Sequence, residues 1–123
     1  MTAFQQALKA AFDSASLAAG LQAQYKRDDI CITLWVVPGS SEHEASDAAG
    51  YLATYRQSDF LIKADDLDYH GERLRPEPGD QLIVGSRTYD VVTLPGESVP
   101  YRPADSHRAL LRVHVALVED TNL

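Results

Sequence analysis

Cysteine is almost absent from this 123-residue chain. Cys31 stands alone, so no intrachain disulfide framework can form, and the stapled scaffold of a small secreted protein is excluded. Bases are short relative to acids, 11 against 18, and the formal charge of −7 repels polyphosphate over most of the surface. Nucleic acid is therefore a disfavoured ligand. Long apolar runs are missing too: no stretch approaches the ~20 apolar residues that cross a bilayer. Met1–Lys9 has neither the basic region nor the apolar block of a signal peptide. The expectation is a chain made and folded in a reducing cytoplasm, with no membrane partner.

The common catalytic signatures are also wanting. Neither G-x-x-x-x-G-K-[ST] nor G-x-G-x-x-G occurs, so no phosphate cradle or dinucleotide turn is encoded. No G-x-S-x-G places a serine on a strained turn. His43, His70, His107 and His114 lack H-x-H or H-x-x-x-H spacing, which leaves no preformed zinc site. Asp65, Asp66 and Asp68 cluster, but the twelve-residue frame of a calcium loop, with its sixth-position glycine and closing glutamate, is not there. The cluster reads as a turn with solvated carboxylates. No catalytic residue, cofactor or metal is expected.

What is present describes one domain, since roughly 100–200 residues make one, with ordinary globular contents of 45% hydrophobic and 24% charged residues. Phe4, Leu8, Phe12, Ala15 and Ala19 recur at helical spacing, Thr2 and Gln5 have capping-box spacing, and Gly20 supplies a stop. One amphipathic helix is predicted over residues 1–20, with a thin apolar face that must dock on its own sheet or on a neighbour. From Leu21 the pattern turns to strands. Leu21–Arg27 and Ile30–Val37 flank Asp28-Asp29, two residues that tolerate positive φ, and read as a hairpin. Ile30–Val37 is apolar on both faces, so a central strand is expected, with Cys31 a small hydrophobe of the core.

Residues 38–48 are rich in turn formers and charge and read as a mobile projecting loop. Residues 51–62 form a long β-type stretch, with a bend or bulge expected at Ser58-Asp59. Gly85-Ser86 between Gln81–Val84 and Arg87–Leu94 is the chemistry of a two-residue hairpin. Residues 95–109 form a second flexible loop, and Leu110–Val118 alternates, Leu111, Val113, Val115 and Leu117 against Arg112, His114 and Ala116. The fold class is mainly β with one N-terminal α-helix: a small antiparallel β-barrel or sandwich of about six strands over residues 21–118.

Charge is unevenly spread. Residues 42–72 hold eight acids against Arg56 and Lys63, whereas Arg87, Arg102, Arg108 and Arg112 meet only Asp90, Glu97 and Asp105 further on. Such polarity suits contact with copies of the chain or with charged partners. Tyr101-Arg102, an aromatic beside an arginine in a proline-containing loop, has the composition of an interface hot spot, or of a tyrosine folded back on its own barrel.

In order and spacing, Tyr55–Ile62, Asp66-Leu67, Pro78-Gly79-Asp80, Tyr89-Asp90-Val91, Gly96–Arg102, Arg108 and Leu111–His114 resemble the small head-tail joining proteins of tailed bacteriophages and prophages. The run from Gly96-Glu97 through Tyr101-Arg102 to Leu111-Arg112-Val113-His114 is the most telling part. The resemblance implies a β-barrel subunit, homo-oligomeric as a ring in the neck of the virion. It would sit between the portal-adaptor complex and the tail, assembled in the bacterial cytoplasm, with DNA only as passing cargo. The two loops would be docking elements, and the expected interface residues are Glu42, His43 and Glu44 in the first and Tyr101, Arg102, Asp105 and Arg108 in the second. Alternatives are a small-barrel nucleic-acid or ligand-binding module using Trp35, Tyr51 and Tyr55 as stacking faces, or another neck or tail protein such as a tail terminator.

Overall fold

The computed structural model describes the backbone over residues 20–46, 52–105 and 109–121, and side chains over 20–40, 57–105 and 109–121. The helix expected over residues 1–20 lies, but for Gly20, outside the described residues. Among the described residues nine strands follow one another: β1 (Leu21–Arg27), β2 (Ile30–Ser46), β3 (Leu52–Lys63), β4 (Asp68–Tyr69), β5 (Glu72–Arg73), β6 (Gln81–Val84), β7 (Arg87–Val91), β8 (Tyr101–Pro103) and β9 (Leu110–Asp120). Six of them, in the order β3-β2-β1-β6-β7-β9, form an antiparallel barrel closed by β9 pairing with β3. Closure settles barrel against sandwich. β8 lies on the same side of β9 as β7, carrying that edge onward over Leu111–Val113.

The two predicted hairpins form where their turn residues allow. Asp28 takes φ 50° between Arg27 and its register partner Ile30, and Gly85 takes φ 59° between Val84 and Arg87. Inside the barrel, alternate residues of each strand meet: Ala23 and Tyr25; Ile32, Leu34 and Val36; Phe60 and Ile62; Leu82; Val91; and Leu111, Val113 and Val115. The Phe60 and Tyr89 rings cross edge to face at 5.0 Å. The acidic turn Asp65–Asp68 closes one side of this core. It opens with a 3₁₀ turn over Ala64–Asp66, which points Leu67 into the core with no exposure, while Asp65 pairs with Arg73 at 2.6 Å.

Three expectations are corrected. Cys31 is exposed and Trp35 is 51% exposed; a barrel wall has one buried face, taken by Ile32, Leu34 and Val36, and among the described residues no second layer covers the other. Residues 38–46 are strand rather than loop, since β2 runs on in register with β3, Val37 opposite Leu61 through Ser46 opposite Leu52. Backbone pairing makes no demand on side-chain polarity, so a charged segment that leaves the core can remain extended. Finally, Leu117 is 52% exposed although it shares the parity of Val113 and Val115. It lies beyond the last β3–β9 pair, Asp59 opposite His114, where the β7–β9 register also shifts between Thr88 and Tyr89.

Candidate functional site

The β2–β3 hairpin is longer than the barrel needs. β3 pairs with β9 only from Asp59 to Lys63, whereas its pairing with β2 continues to Leu52. Seven register pairs, Ser40–Ser46 against Ser58–Leu52, therefore extend past the barrel as a two-stranded arm. The bend expected at Ser58-Asp59 is not a register break with β2. It is the point at which β3 parts from β9, and there Gln57 Nε2 donates to the Val115 carbonyl at 2.6 Å.

At the root of the arm the barrel places a buried charged chain. Asp59, 1% exposed, accepts at Oδ1 from His114 Nδ1 at 2.7 Å and holds Oδ2 3.5 Å from Arg112 Nη1. That guanidinium also lies against β2 at the arm's root, since a Cβ on Gly39, the register partner of Asp59, would meet Arg112 Nη1 at 3.4 Å. His114, wholly buried, presents Nε2 3.3 Å from Glu97 Oε2, and Glu97 in turn accepts from Arg102 of β8. The main chain repeats the connection, because the His114 amide donates to the Pro100 carbonyl at 2.9 Å and the Val92 amide donates to the His114 carbonyl at 3.0 Å. His114 faces outward as its parity requires, but the β7–β8 connection covers it. An aspartate–histidine pair of this kind can orient a general base. Here the ring is sealed from solvent and its far nitrogen faces a second carboxylate, so the pair holds structure.

A second buried carboxylate explains Pro78-Gly79-Asp80. Gly79 at φ 92° makes the turn that returns the chain to β6. Asp80, 3% exposed, accepts from the Tyr25 hydroxyl, from Arg27 Nε at 2.8 Å and Nη2 at 2.7 Å, and from the Glu77 amide at 3.0 Å. Arg27 Nη2 also donates to the Arg75 carbonyl at 2.6 Å. Burial, and then the bond to Asp80, push the Tyr25 phenol far above its ordinary range, and the same carboxylate raises Arg27. In the open cleft of about 450 Å³ beside this cluster, lined by Lys26, Arg27, Asp28 and Glu77–Gln81, the charges of Arg27, Glu77 and Asp80 are engaged with one another.

The predicted interface residues fall in two places. Glu42, His43 and Glu44 lie on the β2 strand of the arm, opposite Arg56, Tyr55 and Thr54. Tyr101 and Arg102 lie on β8: Tyr101 is half-buried against the core, the folded-back alternative, while Arg102 is exposed and paired with Glu97. Asp105 Oδ1 accepts from the Leu110 amide at 2.9 Å, and Arg108 lies outside the described residues. The arm and the 95–105 segment, distant in sequence, are thus joined through Asp59, His114 and Glu97. None of those three is among the interface residues expected from the sequence. Their signal was a polar residue embedded in an apolar strand, Asp59 before Phe60-Leu61-Ile62 and His114 between Val113 and Val115. The acidic stretch 42–72 is likewise less of a surface than its charge implies, because Asp59 is interior and Asp65 is paired.

No curated protein matches the chain. The family model described as phage head-tail joining protein matches residues 1–122.

Proposed function

We propose, from the premise that this chain belongs to the phage head-tail joining protein family, that it works as a non-enzymatic ring subunit at the neck of the virion. Membership makes it a structural component of the phage particle that acts on head and tail proteins. The observation that carries this role is the match over residues 1–122, which leaves no part of the described fold unaccounted for.

Beyond that, our reading is that copies of the chain close a ring between the portal-adaptor complex and the tail, assembled in the host cytoplasm. The β2–β3 arm and the 95–109 segment dock on neighbours, with Glu42, His43 and Glu44 on the one and Tyr101, Arg102, Asp105 and Arg108 on the other as contact residues. Projection of the arm past the barrel supports this, since seven strand pairs there are held by no third described strand, and an isolated two-stranded ribbon is marginally stable in water. Docking would supply the missing layer. The amphipathic segment 1–20 is a further contact element, on its own barrel or on the next subunit. A net charge of −7 suits a conduit through which DNA passes without adhering.

Deletion of the gene from the phage tests the role. Electron microscopy of lysates should show filled heads and free tails that fail to join, and normal particles would refute it. Mixing purified protein with portal, adaptor and tail proteins separates the neck position from that of a tail terminator.

A further inference from the structure

We propose that Arg112–Asp59–His114–Glu97–Arg102 is a cross-brace that couples the set of the β2–β3 arm to the β7–β8 connection, so that a contact made on either element alters the other. Three observations carry this. Asp59 is the last residue of β3 that pairs with β9, so its carboxylate sits where the arm leaves the barrel. His114 ties that carboxylate to the other side of β9, bonding Pro100 and Val92 through its main chain and setting its ring Nε2 3.3 Å from Glu97 Oε2, a close approach without hydrogen-bond alignment. The two ends of the chain emerge at the surface, Arg112 32% and Arg102 55% exposed, while Asp59 and His114 are closed to water and Glu97 is only 16% exposed.

Buried, unscreened groups linked in series have few alternative arrangements. A displacement of Glu97 must therefore be met by His114, and through it by Asp59 at the arm root. The outer arginines are the handles. A partner carboxylate that draws Arg102 away from Glu97, or Arg112 away from Asp59, changes the restraint at the opposite end. Coupling between two sites is reciprocal, whichever is perturbed. It is also a property of the free subunit, and so is measured without a ring or a partner.

Hydrogen–deuterium exchange on the full-length protein tests it. Glu97→Gln, which keeps the shape and removes the charge, should speed exchange in peptides covering residues 37–61 about five- to tenfold, a coupling of ordinary allosteric size, while β6 and β7 stay at the wild-type rate. Arg112→Ala, at the other end and at a side chain more exposed than Glu97, should speed exchange in residues 94–103. Arg102→Ala provides a variant at a surface position that leaves the buried pair intact, and should move the arm in the same direction by a smaller factor. The proposal is overturned if Glu97→Gln affects residues 94–103 alone, if Arg112→Ala affects the arm alone, or if all strands speed up by one common factor, which would mark general destabilisation.

Discussion

Replacing Asp80 by alanine should be among the most damaging single changes to the barrel. Its carboxylate accepts from the Tyr25 hydroxyl, twice from Arg27 and once from the Glu77 amide, and it gathers β1, the turn before β6 and the end of the 72–80 segment. Loss of one partner of a buried ion pair costs about 3–5 kcal/mol, since the other charge is left without compensation. Arg27 keeps 20% side-chain exposure and recovers part of its hydration, whereas the Tyr25 hydroxyl is wholly buried and recovers none. The lower end, about 3 kcal/mol, is therefore the working figure. For a chain of 123 residues this corresponds to a fall in Tm of about 10–15 °C. Tyr25→Phe removes only the phenol oxygen and leaves Asp80 with Arg27, so about 1 kcal/mol is expected. The double variant should lose less than the sum, because both single changes break one shared bond. Thermal unfolding followed by circular dichroism, with urea titration as a check, reads all three. A fall below about 3 °C for Asp80→Ala, or strictly additive single changes, would refute the reasoning.

Two further outcomes follow from the same structure. The Tyr25 phenol is held well above its ordinary value of 10.0 by burial and by Asp80, so above pH about 10 the unfolded chain carries fewer protons than the folded one, and stability present below that pH is lost as pH rises. The slope of unfolding free energy against pH between about 10 and 11 should be shallower in Tyr25→Phe; identical slopes would count against it. Cys31, exposed on the barrel wall, should react stoichiometrically with a thiol reagent in the native protein, and reaction only after denaturation would show that its face is covered.

Legibility in the sequence varied with the range of the interaction. The Asp28-Asp29 and Gly85-Ser86 hairpins were readable because the positive φ of a two-residue connection is a local demand that few side chains meet. The inward set on β2 and β9 was readable from alternation. Cys31 reads as a core residue although it is exposed, because an apolar run on both faces looks the same whether or not a second layer covers it. The polarity of residues 38–48 reads as a loop, whereas over 38–46 it reflects departure of a paired strand from the core. At the candidate site, Tyr101 and Arg102 drew attention through composition, while Glu97, Asp59 and His114 became a unit only when β3 and the β7–β8 connection were laid on either side of β9.

The sequence by itself determined the class of structure and the family. An acidic, mainly β chain with a single cysteine and tight turns follows from composition and local stereochemistry, and the spaced pieces from Tyr55 to His114 carry the relationship to head-tail joining proteins. Only the tertiary structure decided that the sheet closes, that an arm leaves it at Asp59, and that two buried carboxylates each gather partners from afar. Tyr25 and Asp80 are separated by 55 residues, as are Asp59 and His114. Burial and pairing over such separations are set by strand order and register, and no local pattern encodes them.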